Sequence, residues 1–213
     1  MTNLEDALLA VDAGADAVGF VFYEESPRCV NVETARQIVQ ALPKKMEKVG
    51  VFVNESEDVL CELAERAGLT AIQMHGDHED PRVADLVKAR RPELKVLAAI
   101  SMVRENPDEW AMRWRPDAVH AFLVDSGGGS KPGGTGKTFD WSKSGPVLEK
   151  IKARVNVVAA GGLTPENVSM ALSVLKPWGV DVVSGVETRP GKKDPEKVRA
   201  FVRAVRQADK KVS

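Results

Sequence analysis

Seven short apolar runs alternate with helix-length segments along the chain, and no two consecutive runs are joined by a hairpin turn. The runs are Ala17 to Phe22, Lys48 to Val53, Ala71 to Met74, Val96 to Ile100, Ala121 to Val124, Val155 to Ala159 and Val180 to Val183. Continuous runs of this kind suit strands buried on both faces, as in parallel sheets covered by helices. Strict alternation with right-handed crossovers then leaves an open doubly wound sheet or a closed barrel. Between the runs, apolar residues recur at helical spacing, as with Ala35, Ile38, Val39 and Leu42, and later Val198, Phe201, Val202 and Val205. The chain opens on a helix: Thr2 and Glu5 have capping-box spacing, and Leu4, Leu8 and Val11 repeat along one face. Thr164-Pro165 and Asp194-Pro195 read as N-caps with proline at the first helical position. Seven strands and eight helices are expected. A (β/α)8 TIM barrel has eight strands, each ahead of its helix, so the fold expected is an α/β barrel forming one domain over residues 1–213, with strand 1 missing from the N-terminus as numbered.

A length of 213 residues supports one sizeable core. The formal net charge of −1 gives no electrostatic footprint for nucleic acid or an acidic membrane surface, so an anionic ligand must be held locally. The first residues lack a basic and apolar leader and no apolar run approaches a membrane span, which points to the cytoplasm. Cys29 and Cys61 do not form a closely spaced pair, and His75 and His78 have no third ligand nearby in sequence, so neither a disulfide framework nor a metal site is expected. No cofactor is expected either.

The chemistry concentrates at strand ends. The run from Ala121 to Val124 leads into Asp125, and six glycines follow at 127, 128, 129, 133, 134 and 136. A carboxylate at the C-terminal end of a buried parallel strand lies where α/β folds place their active sites, and a glycine-rich loop can bring backbone amides close to a ligand. Gly136-Lys137-Thr138 resembles the end of a nucleotide-binding loop, but Lys131 stands where that motif needs glycine. Gly161-Gly162 ends the sixth run and Ser184-Gly185 the seventh, so adjacent loops can aim several N–H groups at one oxyanion. Two ordinary glycine turns are the competing reading. Arg28 could add a cation, and His75 either contacts ligand or caps its loop.

The chain resembles the phosphoribosylanthranilate isomerase family of tryptophan biosynthesis. The matching pieces are TNLEDA from Thr2, GADAVGFVF from Gly14, SPR from Ser26, VGVFVN from Val49, QMHG from Gln73, LVDS from Leu123, GGTGKTFDW from Gly133, AGGLTPENV from Ala160, DVVSGVE from Asp181 and PGKKD from Pro190, in the family's order. The resemblance implies an Amadori rearrangement in which an aminoaldose becomes an aminoketose. It implies that Asp125 is the general acid, that Arg28 and Asp181 contact the anthranilate end of a phosphosugar substrate, and that the Gly161, Gly162, Ser184 and Gly185 loops hold its phosphate. Gly134 and Gly136 would belong to a mobile loop over the site. The family's general base is a cysteine in a Lys-Ile-Cys-Gly strand just ahead of TNLEDA, and neither Cys29 nor Cys61 matches that position. A monomer or homodimer is expected. The alternatives are a catalytically impaired phosphosugar-binding barrel and another phosphate-binding barrel enzyme.

Overall fold

The computed structural model describes residues 1–76, 80–127 and 138–212. Seven parallel strands, β1 (Ala17–Val21), β2 (Glu47–Val53), β3 (Ala71–His75), β4 (Lys95–Ser101), β5 (Ala121–Asp125), β6 (Asn156–Ala159) and β7 (Gly179–Val180), form one sheet in sequential order. Eight α-helices alternate with them: α1 (Leu4–Ala13), α2 (Val32–Ala41), α3 (Glu57–Ala67), α4 (Pro81–Arg90), α5 (Pro107–Met112), α6 (Gly145–Lys152), α7 (Val168–Leu175) and α8 (Pro195–Val212). After β7 come a short 3-10 helix, Ser184–Val186, and an antiparallel pair, β8 (Glu187–Arg189) with β9 (Lys192–Lys193), which the apolar pattern did not announce.

Both faces of the sheet are covered. On one face Phe122, Val124, Val157, Ala159, Val96, Ala98 and Ile100 join the core under the helices. On the other, Ala121, Leu123, Val158 and Ala160 pack with Leu97 and Ala99 in a small inner cluster. Side chains alternate along a strand, so the inner face continues past Leu123 to Asp125 and past Ala99 to Ser101, its register partner. The pleat of β5 and β4 therefore turns the terminal carboxylate and hydroxyl inward.

The helices also close round the sheet. Helix α8 packs on α7 and on α1, and α1 in turn on α2. This seam is charged: Arg206 bonds the Gly14 carbonyl (2.8 Å) and the Asp16 carboxylate (2.7 Å), and Lys192 pairs with Asp6 (2.9 Å). Among the described residues the outer edges of β1 and β7 have no strand beside them. At the β1 edge, Gly19 accepts from the Met1 ammonium and Val21 accepts from the Val30 amide at 2.9 Å.

Several local expectations need correction. Asn3, not Thr2, caps α1 by accepting from the Asp6 amide, while the Thr2 hydroxyl bonds the Gly191 carbonyl at 2.6 Å. The buried side of α1 is Asp6, Ala7 and Ala10, and Leu4 and Leu8 are 42% and 40% exposed. The buried positions are small alanines beside one carboxylate, which a leucine stripe cannot reveal. Helix α7 begins at Val168 behind Asn167, because Thr164 and Asn167 form a turn first: the Asn167 side-chain Oδ1 accepts from the Thr164 backbone amide, and its Nδ2 donates to the Gly162 carbonyl. Strand β7 is only Gly179–Val180, with Asp181 already beyond it.

Candidate active site at the C-terminal ends of the strands

Asp125 is the last residue of β5, and its Oδ1 accepts from the Gly127 amide (3.1 Å) and the Ser126 hydroxyl (3.2 Å). Gly161 is pressed against the same oxygen. A Cβ on Gly161 would lie 2.3 Å from Asp125 Oδ1 and 2.6 Å from the Ser126 nitrogen, and its φ of +80° is one that side chains avoid. Glycine at this position is therefore required by both contact and conformation.

His75, the last residue of β3, hydrogen-bonds Gln73 through its Nε2. Desolvation lowers its pKa to about 4 against the pull of the Asp125 charge, so the ring is neutral near pH 7. Behind it, Asn54 at the end of β2 adopts φ +54° and donates its amide to the His75 carbonyl at 3.0 Å. Asp181, just past β7, donates its amide to the Ala159 carbonyl at 2.9 Å. Desolvation raises its carboxyl above the ordinary carboxylate range, Lys193 opposes this and Asp125 adds to it. Asp125 thus acts electrostatically on residues from two other strands, and the three groups share one site.

The two glycine loops meet. A Cβ on Gly185 would lie 1.9 Å from the Leu163 carbonyl oxygen, so the Gly161-Gly162-Leu163 turn and the Ser184-Gly185 turn are in backbone contact. Gly161 and Gly162 have φ of +80° and +65°, and their amides make no hydrogen bond among the described residues. Gly134 and Gly136 lie outside the described residues, as does His78.

Arg28 is placed by a Ser26-Pro27-Arg28 turn in which Ser26 Oγ accepts from the Arg28 amide at 3.2 Å. Its guanidinium is not simply solvated. Nε and NH2 grip Glu187 of β8 at 3.0 and 2.7 Å. Lys193 adds a second cation to Glu187 at 3.4 Å. Burial pushes the Glu187 carboxyl up, but the Arg28 hydrogen bonds and the Lys193 charge outweigh it and leave the pKa below the ordinary value. Glu187, Lys193 and the buried hydroxyl of Ser101, which has no hydrogen-bond partner among the described residues, were not among the sequence candidates. The strand-end position of Ser101 could have been read from the β4 run, whereas Glu187 and Lys193 lie in the DVVSGVE and PGKKD pieces with nothing local to give them a role.

Two other features do not belong to this site. Cys61 is buried on α3, and desolvation and the Glu24 charge push the Cys29 thiol up, away from the thiolate form. A cleft of about 430 Å³ lies at the opposite end of the strands, beside Lys95, His120 and Asn156. Two of its lysines are engaged with main-chain carbonyls, Lys88 with Pro92 and Leu94, and Lys152 with Leu175, while Lys95 pairs with the Glu47 carboxylate. Cations there neutralise carbonyls at and beyond helix C-termini.

Comparison with known proteins gives a consistent picture. A sequence model of N-(5'-phosphoribosyl)anthranilate isomerase matches residues 1–204. The enzyme of that name from Pelobacter propionicus is 44% identical over 207 residues, covering 97% of this chain and 93% of the relative. The crystal structure of phosphoribosyl anthranilate isomerase from Thermotoga maritima superposes with a TM-score of 0.86 at 40% identity, covering 97% of this chain and 96% of that one. A further phosphoribosyl anthranilate isomerase, solved in complex with reduced 1-(o-carboxyphenylamino)-1-deoxyribulose 5-phosphate, gives 0.83 at 38% identity, covering 97% and 95%. With strand-end acid, paired glycine turns and strand order all in place, the chain belongs to the N-(5'-phosphoribosyl)anthranilate isomerase family.

Proposed function

We propose that this chain is an isomerase of tryptophan biosynthesis that converts N-(5-phosphoribosyl)anthranilate into 1-(2-carboxyphenylamino)-1-deoxyribulose 5-phosphate by an Amadori rearrangement. The observation that carries the reading is the placement of Asp125, inward at the end of β5, against Gly161 and within electrostatic reach of His75 and Asp181. The ribose ring opens when its oxygen gains a proton as the anthranilate nitrogen pushes electrons into C1; Asp125 donates that proton. Loss of the C2 proton to a base then gives the enolamine that becomes the ketose. General acid and base groups of this kind contribute about 10²- to 10⁴-fold each.

The amides of Gly161 and Gly162, unbonded among the described residues, and the first amides of the Ser184–Val186 turn suit the phosphate, with Gly134 and Gly136 as further phosphate-binding residues. Arg28 takes the anthranilate carboxylate, Asp181 the anthranilate nitrogen region, and neutral His75 contributes a polar contact without adding charge. The complete fold is a single-domain (β/α)8 barrel in which an eighth strand fills the space between β1 and β7; the open edges of these two strands and the packing of α8 on α1 support this. That strand carries the cysteine base. No described helix is long and apolar enough to cross a membrane, which agrees with a cytoplasmic enzyme. A Thermotoga maritima relative is described as dimeric, and this chain is a monomer or homodimer.

The test is turnover of fresh substrate, followed by loss of its fluorescence, in the 213-residue chain and in one extended upstream by a Lys-Ile-Cys-Gly strand. Turnover by the extended chain alone supports both the acid and base assignments. Equal turnover by both overturns the cysteine base, and turnover by neither favours a binding-only barrel.

A further inference from the structure

The guanidinium of Arg28 has two edges. Its side edge, Nε with NH2, is occupied by Glu187: Nε lies 3.0 and 3.2 Å from the two carboxylate oxygens and NH2 lies 2.7 Å from Oε2. Its end edge, NH1 with NH2, has no carboxylate partner among the described residues. A guanidinium fork matches one planar carboxylate per edge, so the group is gripped on one side and presents donors on the other.

Glu187 is itself fixed. Its side chain is only 4% exposed, and Oε1 also accepts from the Gly191 amide and from Lys193 Nζ, both at 3.4 Å. Lys193 is held in turn by the Val183 carbonyl at 3.1 Å and by its own amide on Asp6 at 2.9 Å. The anchor is therefore tied to the residue ahead of the 3-10 helix, the β8–β9 hairpin and α1 together, while Arg28 sits on the long loop after β1. Two cations around one carboxylate leave the trio with one positive charge in excess, which a ligand carboxylate would neutralise.

We infer that Glu187 is a positioning residue that fixes the Arg28 guanidinium so that its free edge selects ligands bearing an aryl carboxylate. This rests on the reading of Arg28 as the residue at the anthranilate end. A glutamine at 187 keeps the shape but offers one acceptor and turns an N–H₂ donor towards the guanidinium, so it releases the fork without emptying the site.

The experiment compares two ligands by calorimetry with the full chain: the reduced carboxyphenylamino product analogue, and its anilino counterpart without the carboxyl. The unmodified chain is expected to prefer the first by about 10- to 100-fold, the range of a charge-assisted hydrogen-bonded pair. Arg28→Ala should abolish the preference. Glu187→Gln should reduce it to within about threefold while leaving affinity for the anilino ligand little changed, with a lowered melting temperature because two cations lose their buried anion, and the double variant should lose nothing further of the preference. A merely structural Glu187 would weaken both ligands alike, and that result overturns the inference. If Arg28→Ala abolishes the preference but Glu187→Gln keeps it, positioning fails and the Arg28 reading stands. If the unmodified chain shows no preference, the Arg28 reading falls and this inference with it.

Discussion

A Cβ on Gly161 would lie 2.3 Å from the carboxylate oxygen of Asp125. The β6 turn thus supplies the wall against which the proposed acid rests. Gly161→Ala must both strain a φ of +80° and displace that carboxylate. Expected are a stability loss of about 1–3 kcal/mol and a fall in kcat of about 10² from misplacement of the acid. Melting curves and single-turnover rates on the same preparation check the two separately.

Asp125→Asn keeps the size and the hydrogen bonds from Gly127 and Ser126 but removes the proton donor. In catalytically competent protein kcat should drop by about 10² to 10⁴, while affinity for the reduced product analogue stays within about threefold. A parallel loss of affinity would mean that Asp125 is chiefly a binding residue.

His75 predicts a pH dependence with a definite sign. Its pKa is about 4 in the folded protein and 6.5 ordinarily, so the unfolded chain binds the extra proton between those values. Stability contributed by the neutral ring is fully present above about pH 6.5, falls as pH drops towards 4, and levels off below. The full effect is on the order of 3 kcal/mol. Asp181 works in the opposite direction, its raised folded pKa favouring the fold at low pH and costing stability as pH rises through it. Urea melts of the chain and of His75→Gln across pH 4–8 isolate the histidine: their difference should shrink with acid, and a constant difference would refute the assignment.

Gly185→Ala would drive a methyl group to 1.9 Å from the Leu163 carbonyl oxygen. The two turns must part, so affinity for the phosphorylated product analogue should fall about tenfold or more, with a smaller change for a dephosphorylated one. Equal losses for both would detach these turns from phosphate binding.

The sheet was legible because its strands are buried on both faces, which forces long apolar runs such as Ala121 to Val124. The strand-end residues Asp125 and His75 followed directly from where those runs stop, whereas Asp181 lay inside the expected run Val180 to Val183 and comes past the strand because β7 ends at Val180. What stayed hidden depended on contacts rather than on pattern. Asp6, Ala7 and Ala10 form the buried side of α1, and nothing within the first turn of sequence says that Leu4 and Leu8 will face outward. Asn3 takes the cap once Thr2 is drawn to Gly191, on the far side of the chain. Glu187 looks like any hairpin carboxylate until Arg28, 159 positions away, closes on it. The family resemblance supplied roles for Arg28 and Asp181 that neither position could have declared alone.

The seam between α1 and α8 has a kinetic meaning. Most packing in this fold joins neighbours in sequence, βα unit against βα unit, and can form as each unit is added. Contacts such as Arg28 with Glu187, Asp6 with Lys192 and Arg206 with Asp16 instead join the two ends of a chain-long loop, whose closure is entropically slow. The anthranilate end of the proposed site lies on this closure. A ligand bridging Arg28 and Asp181 would then rivet the last part of the molecule to assemble, slowing its opening and making amide exchange along the seam a reporter of occupancy.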